Sequence, residues 1–160
     1  MNNELPHNFK LLTIWLLILL AVFLGFKAWE HQRSQSLITL DGAEITLSRG
    51  PDGHFHWPGA VNGVAVDFLV DTGATGTALP QALAERAGLV AEARVSSHTA
   101  AGVAQGYRAR ADISLQGGVQ AERLAVTVLP ALGAPLLGMD ILSKLDFRQA
   151  DGKLHIRAQR

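Results

Sequence analysis

The chain has no cysteine among its 160 residues. That excludes disulfides, thiolate nucleophiles and cysteine-held metal ions. It does not fix a compartment, because a core of this size needs no disulfide in any of them. Charge of either sign is also missing in surplus: 14 basic residues balance 14 acidic ones. No clustered basic face is available to hold a phosphate backbone, so no nucleic-acid partner is expected. G-x-S-x-G, H-E-x-x-H, the P-loop and G-x-G-x-x-G are all absent. The serine, zinc and nucleotide chemistries that those patterns carry are set aside with them. His54 and His56 lie two apart without a third ligand nearby and read as ordinary strand histidines. His98 reads as a loop histidine. No metal and no cofactor are expected.

What is present begins with "LLTIWLLILLAVFLGF", residues 11–26, which carries no charge. An amphipathic core helix would show a polar face, and this run is apolar all round. A cleaved signal peptide needs a small-x-small site, which "GFKAWEHQ" does not offer. Sixteen helical residues reach about 24 Å, short of a hydrocarbon core of about 30 Å. Extension to 11–29, with Lys10 and Lys27 snorkelling outward, makes a single-pass anchor the expectation. The expected layout is a tail over 1–10, a transmembrane anchor over 11–29, a linker over 30–36 and one domain over 37–160. Lysines on both sides leave the orientation undetermined by charge.

The domain reads as mainly β with one or two short helices. "ITLDGAEITL" (38–47) suggests a hairpin around Asp41-Gly42, and Asn62-Gly63 and Asp151-Gly152 suggest two more. Val64, Val66, Phe68 and Val70 alternate toward Asp71. "LPQALAERAGLV" is the best helix outside the anchor, with Pro80 in its first turn, Gly88 at its end and Leu79, Leu83 and Ala87 on one stripe. Strands return over 93–115, with a turn at Gly102. Leu124, Val126 and Val128 then alternate. Turns about every ten residues suggest a barrel or a sandwich. "FLVDTG" and "PLLGMD" echo each other, each running apolar residues into a glycine turn.

Asp71 stands out. A carboxylate at the end of an apolar strand is costly unless it is hydrogen-bonded. Thr72 offers a hydroxyl, Gly73 an unobstructed N–H, and Ala74 little bulk. Spacing alone fits two readings, an Asx-type turn or a catalytic acid. Asp140 opens a helix and is explained by N-cap duty. Asp67 shares a strand with Asp71 and cannot face it, and Asp112 and Asp146 lack a Thr-Gly context.

Asp71-Thr72-Gly73-Ala74-Thr75 resembles the active-site loop of the retropepsin-like aspartic proteases. "GAVNGVAVDFLVDTGATGTALPQALAERAGL" is similar to the first half of their bacterial membrane-anchored members. "SSHTAAGVAQGY", with Thr99-Ala100-Ala101-Gly102 at its tip, resembles their flap. "APLLGMDILSKLDF", with Leu136-Leu137-Gly138, resembles the strand and helix that close their fold. Residues 53–157 are covered. The flap departs from the common Thr-Ala-Asn-Gly by having Ala101 for asparagine, and alanine tolerates left-handed geometry less well.

The resemblance implies a retropepsin-like barrel and an aspartic endopeptidase acting on polypeptides. Asp71 would be catalytic, the Thr99–Gly102 tip would cover substrate, and the domain would sit in the periplasm at the bacterial inner membrane. Such chemistry needs two carboxyls sharing one proton. One chain supplies one, so a two-fold homodimer is expected. The alternative is a non-catalytic peptide-binding or envelope assembly module on the same fold.

Overall fold

The computed structural model describes residues 7–33, 37–40, 44–99 and 102–158. The chain divides into two units, Met1–Gln35 and Ser36–Arg160.

The first unit holds one helix, α1 (His7–Arg33). Its described side chains, 13–27, are all exposed. Among the described residues no helix is long and apolar enough to cross a membrane. The anchor expected over 11–29 is thus not shown by the described residues. The uncharged run is about 6 Å shorter than the hydrocarbon core it would have to fill, and the expectation depended on lysines reaching past its edges.

The second unit is mainly β. Its strands are β1 (Leu37–Leu40), β2 (Ile45–Ser48), β3 (His56–Val61), β4 (Val64–Val70), β5 (Ala78–Pro80), β6 (Ala93–Thr99), β7 (Gly102–Leu115), β8 (Val119–Leu129), β9 (Leu136–Leu137), β10 (Leu145–Ala150) and β11 (Lys153–Ala158). Two short helices, α2 (Gln81–Arg86) and α3 (Met139–Leu142), interrupt them. The large sheet runs β1-β8-β5-β9-β4-β3-β7-β6, and an added β7–β8 pairing joins β8, β5, β9, β4, β3 and β7 into a ring. A closed ring removes the exposed edges that an open sheet would leave. A second sheet runs β10-β11-β2.

Turn chemistry explains two of the three expected hairpins. Asn62 (φ 47°) and Gly63 (φ 80°) are both left-handed between β3 and β4, and so are Asp151 (φ 50°) and Gly152 (φ 70°) between β10 and β11. That backbone matches the strand twist. Asn62 also reaches outward. Its Nδ2 donates to the Ala87 carbonyl at 3.0 Å, and its Oδ1 accepts from the Asp112 N–H at 2.8 Å.

The hairpin expected over 38–47 does not form. β1 pairs with β8, Leu37 opposite Glu122, whereas β2 pairs with β11, Ile45 opposite Ile156. Leu37 and Ile45 find these partners 85 and 111 residues away, which no local turn signal encodes; residues 41–43 lie outside the described part.

The core fills the ring. Trp57, Phe68, Leu79, Val126, Val128 and Leu137 are fully buried, with Ile141 and Ile156 beside them. Burying one such side chain contributes roughly 1.5–3 kcal/mol. Trp57 keeps its polar edge satisfied, since Nε1 donates to the Gln116 carbonyl at 2.9 Å. Leu79, Leu83 and Ala87 are all buried, but only Leu83 lies within α2: Leu79 belongs to β5 and Ala87 caps the helix end, so the expected helical stripe is shorter than its spacing suggested. Pro80 stands one place earlier than expected, as the extended residue just before the helix, and Gly88 (φ 66°) ends it.

Candidate active site

β4 delivers Asp71. Phe68 is buried, and Val64, Val66 and Val70 pack on the core. The strand end is held from both sides: the Val70 N–H donates to the Phe55 carbonyl at 2.9 Å, and the Asp71 N–H donates to the Leu137 carbonyl at 3.0 Å. β4 and β9 run parallel, Leu69 beside Leu136 and Val70 beside Leu137. The two echoed segments of the sequence are thus neighbours in space.

After Asp71 the chain turns tightly. The Gly73 N–H donates to Asp71 Oδ1 at 2.9 Å, and the Ala74 N–H to the Asp71 carbonyl at 3.2 Å. Asp71 is half-buried, not sealed in the core; Thr72 and Thr75 are exposed, and Ala74 is partly covered. The Ala74 carbonyl accepts from the Met139 N–H at 2.9 Å, which ties the loop to the start of α3.

Asp140 and Asp67 are engaged elsewhere. Asp140 is not an N-cap. Gly138 holds that position without a side-chain bond, and Asp140 lies inside the first turn. Its Oδ2 accepts the Thr77 N–H and its Oδ1 accepts the Thr77 hydroxyl, each at 2.8 Å. Thr77 is buried, so this bond pair meets the polar need of a group cut off from water. Thr77 Oγ1 in turn accepts the Gly138 N–H at 3.3 Å. Gly138 has to be glycine, because a Cβ there would lie 2.4 Å from the Gly76 carbonyl carbon. Asp67 faces His56 at 3.3 Å.

Sequence reasoning missed Thr77, Gly76 and the bracing role of Asp140. The available signal was the echo itself, since two similar runs that pack side by side need small residues and a polar tie where they cross. His54 lies in the turn ahead of β3, not on a strand with His56 as expected. Among the described residues no cluster of histidine and carboxylate side chains is arranged to hold a metal ion.

β6 and the first part of β7 form a two-stranded ribbon, with Val95 opposite Gly106 and Thr99 opposite Gly102. β7 meets β8 only from Tyr107 onward, so the ribbon extends past the ring. Of the expected flap tip, Ala100 and Ala101 lie outside the described residues. Gly102 takes φ 112°, a conformation that suits glycine.

Three comparisons bear on this geometry. The sequence family described as "gag-polyprotein putative aspartyl protease" matches residues 57–144. An uncharacterized protein of Rickettsia prowazekii is 33% identical over 88 residues, covering 48% of this chain and 38% of that protein. The chain therefore spans well under half the length of that relative. The crystal structure of a retropepsin-like aspartic protease from Rickettsia conorii superposes with a TM-score of 0.58 at 25% identity, covering 78% of this chain and 96% of the other.

Proposed function

The chain belongs to the retropepsin-like aspartic protease family, and from that membership we propose that it is a peptidase built as a homodimer, with one Asp71 from each subunit forming the catalytic pair. The observation that carries this reading is the Asp71 loop. The chain offers one half-exposed carboxylate, braced by the Gly73 N–H at 2.9 Å, and engages Asp140 and Asp67 elsewhere. A lone carboxylate cannot act as base and acid at once. A two-fold axis beside Asp71 supplies the second.

In this reading the two Asp71 carboxyls share one proton, because two adjacent charges cost too much. Their titration belongs to the pair. The ionised member takes a proton from a water whose oxygen attacks the peptide carbonyl carbon. The protonated member donates to the carbonyl oxygen. The tetrahedral gem-diol then collapses: the carboxyl proton passes to the departing amine nitrogen as the C–N bond breaks, and a hydroxyl proton of the gem-diol returns to the other carboxylate as the new carbonyl forms, so the pair again holds one proton. The Gly73 N–H holds Asp71 in place, and the exposed Thr72 faces the partner. The β6–β7 ribbon covers an extended substrate, pairing with its backbone and excluding water.

Cleavage of an unstructured protein, and its inhibition by a statine-type transition-state analogue, test the assignment. Binding of peptides without any hydrolysis would overturn it in favour of a recognition module.

A further inference from the structure

His56 opens β3, close to the Asp71 loop but outside it. Its Nε2 lies 2.8 Å from Asp52 Oδ2, and its Nδ1 lies 3.3 Å from Asp67 Oδ2. The two carboxylates come from different places. Asp52 belongs to the turn over 50–54, and Asp67 to β4. His56 stands opposite Leu69 in the β3–β4 register, so Asp67 is its diagonal neighbour on the same face.

A neutral imidazole carries one N–H and one lone pair. Between two carboxylates it satisfies one and presents a lone pair to the other. The imidazolium donates to both. The Asp52 hydrogen bond, then the charges of Asp52 and Asp67, outweigh partial burial and raise His56 above the ordinary histidine value. The same contact, together with the His54 N–H, holds Asp52 below the ordinary carboxylate value. Other charged or titratable groups near it along the chain and the register are Arg49 and His54 on the turn side and Asp71, two residues beyond Leu69 at the end of β4. Arg49 sits over the Phe55 ring, 5.3 Å from its centre. The segment 130–137, which reaches the Leu69 N–H through the Pro135 carbonyl, has no titratable side chain.

The turn is built around Asp52. Its Oδ1 accepts the His54 N–H at 3.1 Å, while the Gly50 N–H donates to the His54 carbonyl at 2.7 Å. A Cβ on Gly50 would fall 2.7 Å from Asp52 Oδ1 and 3.3 Å from the His56 ring, so a side chain there would displace the Asp52 carboxylate from its present place. Farther along, the same turn walls a hollow of about 260 Å³, lined by Gly53, His54, Phe55, Val70, Thr72 and Leu154 among others. The hollow reaches the residues on either side of Asp71.

We propose that His56 is a proton-operated positioning residue: as the imidazolium it pins the 50–54 turn to β4 and so sets the shape of the hollow beside Thr72. Loss of its proton frees one of the two carboxylates, and the turn loosens. The active-site loop thereby gains a pH sensor that touches neither substrate nor Asp71. The inference does not require that the chain cleave peptides.

The test is an NMR pH titration of the full chain, which needs no substrate. The His56 ring is expected to titrate above about 6.5, and the backbone amides of Gly53 and Thr72 to shift with the same midpoint. His56→Gln should abolish those amide shifts. Asp67→Asn, a change at an exposed side chain, should lower the midpoint of ring and amides together, and it decides the matter even if His56→Gln does not fold. Gly53 and Thr72 amides that stay flat while His56 titrates would overturn the proposal, as would an Asp67→Asn midpoint equal to that of wild type.

Discussion

Asp140 grips Thr77 twice, at the backbone N–H and at the hydroxyl, each at 2.8 Å, and so joins the loop that follows Asp71 to the helix that follows β9. The two residues are 63 apart in sequence. Asp140→Ala leaves both Thr77 donors without their acceptor in a buried site. Hydrogen bonds to a charged group are worth roughly 1.5–3 kcal/mol each, and unmet buried donors cost a similar amount. The expected loss is about 3 kcal/mol of unfolding free energy by denaturant titration. Asp140→Asn keeps one acceptor and can donate to Thr77 Oγ1, so it should cost about 1 kcal/mol.

Gly138→Ala tests the backbone contact beneath that grip. The new methyl would meet the Gly76 main chain, at 2.4 Å from its carbonyl carbon and 2.5 Å from its oxygen. Main chain does not swing aside as a side chain does. The substitution should cost about 3 kcal/mol, read as a lowered melting temperature. Gly63→Ala meets no atom within 4 Å but strains a left-handed turn, so its cost should be smaller, about 1 kcal/mol.

Asp71→Asn should separate chemistry from folding. The amide oxygen still accepts the Gly73 N–H, so the melting temperature should stay within a degree or two of wild type. Cleavage should fall on the order of 10³-fold or more, because the general base is gone. Far-UV circular dichroism alongside a peptide-cleavage assay reads both outcomes.

The His56 clamp has a pH signature in stability. The folded-state value of His56 is raised, so its stabilisation is present in full below about 6.5 and is lost as pH rises through the raised value. That of Asp52 is lowered, so its stabilisation is present above the ordinary carboxylate range and is lost as pH falls through the lowered value. The difference in melting temperature between wild type and His56→Gln should therefore be largest in mildly acidic solution and shrink on the alkaline side. A difference that grows with alkalinity would contradict this sign.

Much of the barrel was legible because its information is local. Asn62-Gly63 and Asp151-Gly152 specify their turns within two residues, and Leu124, Val126 and Val128 show their buried face by alternation alone. The Asp-Thr-Gly loop was visible as a loop for the same reason. What stayed hidden depends on distant residues. Nothing near Leu37 or Ile45 says that one will pair with β8 and the other with β11. Asp140 sits where an N-cap is plausible, and only the approach of Thr77 reveals its bracing role. His56 looked ordinary because Asp52 and Asp67 lie on opposite sides of it in sequence and meet it only after the turn and the β3–β4 hairpin form.

The central claim is that each active site takes one Asp71 from each of two chains, and mixing tests it most directly. A fixed amount of full-length wild-type chain is equilibrated with increasing Asp71→Asn chain, and peptide cleavage is measured. A shared site predicts that activity falls to about half at equal amounts and to about a quarter at a threefold excess, as mixed dimers replace active ones. Cleavage that stays constant however much mutant is added would show that one chain acts alone, and would contradict the account.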